Sequence, residues 1–189
     1  MSCIVDMTEK AATVIRANTI TPFIPVTAAD LIWAEALDVN STRNGLMQEV
    51  EHIFLAGGSE VFADGMESEF SRSLTSAIKK HGDDAISALA DLILSDKADP
   101  EVASEALRWI GYIDDADSYD SRLALLIRSL ECSSAWIRDG ATLGLSYLGD
   151  LSALSALVKA ITHERYELLC RNMGLTIADL QNSNRGAHE

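Results

Sequence analysis

The stretch WIRDGATLGLSYLGD, residues 136–150, decides how this chain is read. Ile137, Ala141, Leu145 and Leu148 recur at i, i+4, i+8 and i+11, which is one apolar stripe of an α-helix. Yet Gly140 and Gly144 lie inside it. Each interior glycine costs a helix about 1 kcal/mol relative to alanine. A helix that carries two must gain something from its neighbours.

A second copy stands 35 residues upstream. Setting VASEALRWIGYIDD (102–115) above IRDGATLGLSYLGD (137–150) pairs Val102 with Ile137, Ala106 with Ala141, Ile110 with Leu145, Ile113 with Leu148 and Asp115 with Asp150. Each copy runs into a polar turn and a second apolar helix, SRLALLIRSL (121–130) or SALSALVKAI (152–161). The turn after Asp115 is four residues longer than the one after Asp150. Upstream, SRSLTSAIKKHGDDAISALADLILS (71–95) has the same layout, with Leu89 and Ile93 in the places of Leu157 and Ile161. Downstream, YELLCRNMGLTIADL (166–180) predicts a closing helix. Residues 67–180 therefore hold three helix pairs and a closing helix with a period of about 30–35, a unit that buries its apolar faces only by stacking. Stacked helices approach closely only where contact positions lack bulk, which accounts for Gly140 and Gly144. Gly144 stands where Trp109 stands one repeat earlier, so bulk in one repeat is answered by its absence in the next.

These residues resemble a HEAT repeat of the short bacterial type. Ile137-Arg138, Ala141 and Leu148-Gly149-Asp150 match its aliphatic-Arg pair, small residue and turn. Val102 and Ala106 match in the preceding copy, which departs at Ala103 and Asp114, where the Arg and the turn glycine would stand. The resemblance covers about 115 of the 189 residues. It implies an all-α fold, a short α-solenoid whose second helices line the concave side. An irregular helical bundle is the alternative.

Residues 1–66 lack the repeat and read as a divergent helical N-terminal cap, the rival being a partner-binding arm. Thr27 with Asp30 resembles a capping box and predicts a helix over 28–38; NSTRNG (40–45) predicts a turn, and Leu46, Val50, Ile53 and Phe54 a second helix over 46–56. AGGSEVFADG (56–65) reads as a loop, residues 1–20 as a loosely attached helix, and 181–189 as a flexible tail.

The net charge of −14 disfavours direct nucleic-acid binding and anionic membranes, and favours either plain solubility or a basic protein partner. The charge is spread, with net −6 over 1–66 and −8 over 67–189. Cys3, Cys132 and Cys170 show no C-x-x-C spacing and read as idle thiols of a reducing compartment. No basic start with an apolar stretch opens the chain, and no apolar run is long enough to cross a bilayer, so a cytoplasmic location is expected.

No catalytic, cofactor or metal site is expected. His52, His81, His163 and His188 have no ligand-like spacing, and HERYE (163–167) has Glu167 where a zinc-protease helix needs its second histidine, so it reads as polar surface at a helix start. IDDADSYDS (113–121) fails as a calcium loop because Asp120 and Leu126 stand where glycine and glutamate are required. It reads as a solvated turn or as a contact loop for a basic partner. LAGGSE (55–60) lacks the lysine of a phosphate loop. Trp109 is expected in the core; Trp33 and Trp136 read as half-buried residues between repeats or as exposed partner anchors.

The expected function is a non-catalytic protein–protein interaction scaffold, in one version an acidic inhibitor, immunity or adaptor protein for a basic partner. Asp83, Asp84, Asp91, Asp115, Asp117, Asp120, Arg122, Arg128 and Lys159, with Trp33 and Trp136, are the candidate partner-binding residues. The alternative implied by the resemblance is a phycobilisome lyase-like protein or an accessory subunit of an enzyme; a HEAT-like DNA glycosylase would need a basic groove. The sequence implies no oligomeric state. The repeat register predicts that Leu145→Asp unfolds the array by burying a charge; an unchanged Tm would refute the register.

Overall fold

The computed structural model describes the backbone of residues 28–63 and 66–186, and the side chains of 42–63 and 66–183. Eight α-helices follow in order: α1 (Ala28–Gly57), α2 (Glu69–His81), α3 (Asp83–Ile93), α4 (Pro100–Tyr112), α5 (Tyr119–Ser129), α6 (Ala135–Leu148), α7 (Leu154–Ile161, after a 3-10 turn over Leu151–Ala153) and α8 (Glu167–Gly186). No strand forms among the described residues. Met1–Leu37 and Asp38–Glu189 are separate compact units, and the packing below belongs to the second.

Within that unit the expected pairs form as α2/α3, α4/α5 and α6/α7, closed by α8. The stripes that define the repeat are buried. Val102, Ala106, Ile110, Ile137, Ala141 and Leu145 are each at most 2% exposed, as are Leu89, Ile93 and Leu157 of the second helices. Helix starts follow local chemistry. Ser68 and Ser71 form a reciprocal capping box at α2. Asp99 accepts from Glu101 N and Val102 N at α4, with Pro100 in the first turn. α6 ends at Gly149, whose left-handed φ of 71° lets its N–H return to Leu145 O.

First helices of successive pairs stand side by side, and their spacing is not uniform. Between α4 and α6 the backbones touch. A Cβ on Gly140 would lie 2.6 Å from the Cα of Ser104, and one on Gly144 would meet the Leu107 carbonyl and stand 2.6 Å from Leu126 Cδ2. Gly111 faces the Gly144 backbone in the same way. Since Ser104, Leu107 and Gly111 advance along α4 as Gly140 and Gly144 advance along α6, the two helices run parallel. Between α2 and α4 the corresponding gap holds Trp109, 9% exposed, whose indole N–H donates to buried Glu105 Oε1 at 2.6 Å. Arg108 binds the same carboxylate. The bulk-for-glycine exchange expected from the repeat offset thus has a specific form: Trp109 and Gly144 each face the preceding first helix, one spacing it and the other admitting it.

Two expectations fail. NSTRNG (40–45) is no turn but part of α1. Thr42, Arg43, Asn44 and Gly45 are exposed, and a Cβ at Gly45 would meet nothing within 4 Å. With no proline to break it, the helix carries these weak formers at a modest propensity cost. Of the expected tail over 181–189, residues 181–186 continue α8, and 187–189 lie outside the described residues. So do Thr27 and its capping box, residues 1–20, and the side chain of Trp33.

The two classes of glycine predict opposite responses. Gly144→Leu forces the α4 and α6 backbones apart and should destabilise the fold by about 3 kcal/mol or more. Gly45→Ala should stabilise it by up to about 1 kcal/mol. Paired denaturant titrations check both, and equal effects of the two substitutions would contradict the packing.

Candidate functional site

Two surfaces of the repeat unit carry concentrated charge, and both are built by the ends of the second helices. The first is acidic. α3 and α5 begin side by side, because Ser121 Oγ donates to Asp83 Oδ1 at 2.6 Å. Asp83, Asp84, Asp117 and Asp120 are exposed along this edge. Tyr119 extends it toward α7 by donating its hydroxyl to Asp150 Oδ2 at 2.6 Å, which with desolvation raises the phenol's pKa to about 12. Asp150 is held below the usual carboxylate range, first by Ser152 and then by Tyr119. Asp115 is turned inward, accepting from the N–H and hydroxyl of Ser118, and the hydroxyl bond lowers its pKa. Carboxylates at helix N-termini also answer the helix dipole, so the edge satisfies local electrostatics and faces solvent at once.

Arg122, expected on this face, is not there. It is 1% exposed. Its guanidinium donates to Ile110 O at 2.8 Å, Ile113 O at 2.6 Å and Asp115 O at 2.6 Å, while Nε reaches Ser118 Oγ at 3.2 Å. The physical reason lies in the longer turn. α4 lacks the turn glycine that ends α6, so the orphan carbonyls at its C-terminus are satisfied by an arginine from the next helix. Burial lowers the Arg122 pKa, with Asp115 opposing it.

The second surface is a groove of about 980 Å³ between the C-terminal ends of α5 and α7 and the starts of α6 and α8. Its wall is held by Arg138, which donates to Glu164 Oε2 at 2.7 Å and Oε1 at 3.0 Å and ties down the turn between α5 and α6 through Cys132 O and Ser133 O. The Glu164 carboxylate, 1% exposed, also receives Arg165 N and Tyr166 N at the start of α8. HERYE is therefore not uniformly polar surface: His163 is exposed, but Glu164 ties α6 to the turn between α7 and α8. The Arg138 contact, with the two backbone N–H groups, holds its pKa at about 2 against desolvation. Burial pushes the neighbouring Cys132 thiol up, keeping it protonated.

The remaining candidates are dispersed. Asp91 pairs with Arg43 at 3.3 Å and Lys159 with Glu131 at 2.6 Å, both exposed. Arg128 lines the groove and Trp136 is 60% exposed. The structure thus brings together Asp83, Asp84, Asp117 and Asp120 on one edge and Arg128 and Lys159 in one groove. Sequence reasoning missed Glu164 and Arg165; the available signal was a carboxylate in the short turn ahead of a predicted helix, where the N–H groups of Arg165 and Tyr166 reach it.

Residues 86–172 match the family model described as HEAT repeats. No curated protein and no solved structure matches the chain. No helix among the described residues is long and apolar enough to cross a membrane.

Because the Glu164 pKa falls from 4.5 to about 2 on folding, its contribution is complete above about pH 4.5 and is lost as the pH drops toward 2. Glu164→Gln should melt lower than the wild type at neutral pH, with the gap narrowing below pH 4.5. A constant gap in Tm down to pH 2 would contradict the assignment.

Proposed function

This chain is a HEAT-like repeat protein, and from that premise we propose that it is a non-catalytic interaction scaffold whose acidic edge receives a basic protein partner. HEAT repeats are generally protein-interaction scaffolds. The observation that carries the finer reading is the row Asp83, Asp84, Asp117 and Asp120, four exposed carboxylates on adjacent helix ends. The net charge of −14 adds long-range attraction for a cationic partner and raises its rate of encounter. An inhibitor, immunity or adaptor role fits this geometry, since each requires a surface and no reaction. Within the second unit, the C-terminal part of α1 and the segment after it serve as the cap in this reading. Phe54 and Phe62 packed on Phe70, with ring centroids at 5.5 Å, support covering of the first pair from that side.

The test is affinity capture from the native host with two baits, the wild type and the Asp83→Asn/Asp84→Asn/Asp117→Asn/Asp120→Asn variant. Basic proteins should be retained by the wild type at low salt, released as exposed charges are screened, and lost on the variant. Equal retention by both baits, or none by the wild type, would refute the reading.

A further inference from the structure

The groove between α5, α6, α7 and α8 has a charge opposite to that of the chain as a whole. Four basic side chains, Arg128, Arg138, Lys159 and Arg165, line it with two carboxylates, Glu131 and Glu164. Both carboxylates are occupied: Glu164 by Arg138 and Glu131 by Lys159. Arg128 and Arg165 are exposed and form no ion pair among the described residues. In a protein of net charge −14, two unneutralised guanidinium groups on one concavity are a local reversal of sign. Ile127, Leu130, Ala156 and Ala160 contribute apolar surface, and exposed Tyr166 lines it as well. Three of its four walls are tied together by the part-buried Arg138–Glu164 pair and the Arg138 bonds to Cys132 O and Ser133 O.

We propose that this groove seats an acidic, extended peptide segment of a partner protein. Charge complementarity selects the occupant. Guanidinium groups donate two parallel hydrogen bonds to a carboxylate and so fix its orientation. The apolar lining residues Ile127, Leu130, Ala156 and Ala160 and a volume of about 980 Å³ favour a chain that alternates acidic and aliphatic residues over a compact ion. Overall negative charge repels acidic ligands at long range, so binding depends on close contact with Arg128 and Arg165 and is specific to segments that reach both. This surface is distinct from the acidic edge, so the scaffold would hold partner segments of opposite sign at opposite ends of its second helices.

The probe is a fluorescein-labelled peptide of alternating glutamate and leucine, read by fluorescence anisotropy against the full chain, with an alternating lysine–leucine peptide as control. The glutamate peptide should bind and the lysine peptide should not bind at this groove. Arg128→Ser/Arg165→Ser should weaken the glutamate peptide about tenfold with unchanged circular dichroism. The Asp83→Asn/Asp84→Asn/Asp117→Asn/Asp120→Asn variant should retain it, which separates this proposal from the basic-partner reading. Absence of binding, or equal affinity in the Arg128→Ser/Arg165→Ser variant, would overturn it. So would displacement by inorganic phosphate at matched charge, tighter binding of a short oligothymidylate, or self-association that is abolished equally by both variants.

Discussion

Where α6 rests on α4, no side chain stands between the two backbones. Gly140 faces Ser104, and Gly144 faces Leu107 and Gly111. The helix gives up about 1 kcal/mol of intrinsic propensity at each glycine. In return the α6 backbone comes into direct contact with α4, and Ile137, Ala141 and Leu145 beside that contact are each at most 1% exposed. The rest of the repeat unit is arranged around that contact. α5 and α7 pack behind the two first helices, and α8 packs on α6 and α7, burying Leu169, Met173, Thr176 and Leu180 and bonding α6 through Asn172 and Asp139.

The same position sets the opposite spacing one repeat earlier. Trp109 fills the gap toward α2, anchored by Glu105 and shielded on one side by Arg108. It leaves a shallow groove of about 530 Å³ beside Ser71, Thr75, Ser76 and Lys79. One residue type at one register position therefore decides whether adjacent helix pairs close or stand apart. The turns follow the same logic of substitution. Where Gly149 ends α6 with a left-handed turn, the longer connection after α4 is closed by Arg122 reaching three carbonyls. Each solution satisfies helix-end carbonyls that would otherwise be buried unpaired.

The repeat register was legible in the sequence because a 3.6-residue period and an offset of 35 reinforce each other over several stripes. The two glycines were legible for the same reason, since they interrupt an otherwise consistent helix. The failure at 40–45 came from local turn chemistry: Asn, Ser, Thr and Gly favour turns, but a few exposed weak formers do not end a helix with no proline and a strong apolar stripe beyond them. Charge was harder to read. Arg122 and Glu164 look like surface residues in a linear sequence, and only the folded backbone shows the carbonyls and the guanidinium that draw them inside. Asp83 and Asp120 look unrelated in sequence, and α3 and α5 bring them to one edge.

Native-state hydrogen exchange, followed residue by residue, tests the central claim most directly. If the glycine-mediated contact is the one on which the unit depends, the slowest amides lie in α4 and α6 near Leu107, Ile110, Ala141 and Leu145, and α2 opens at lower free energy across its wider gap. Amides of α6 that exchange as fast as those of α2 would contradict that account.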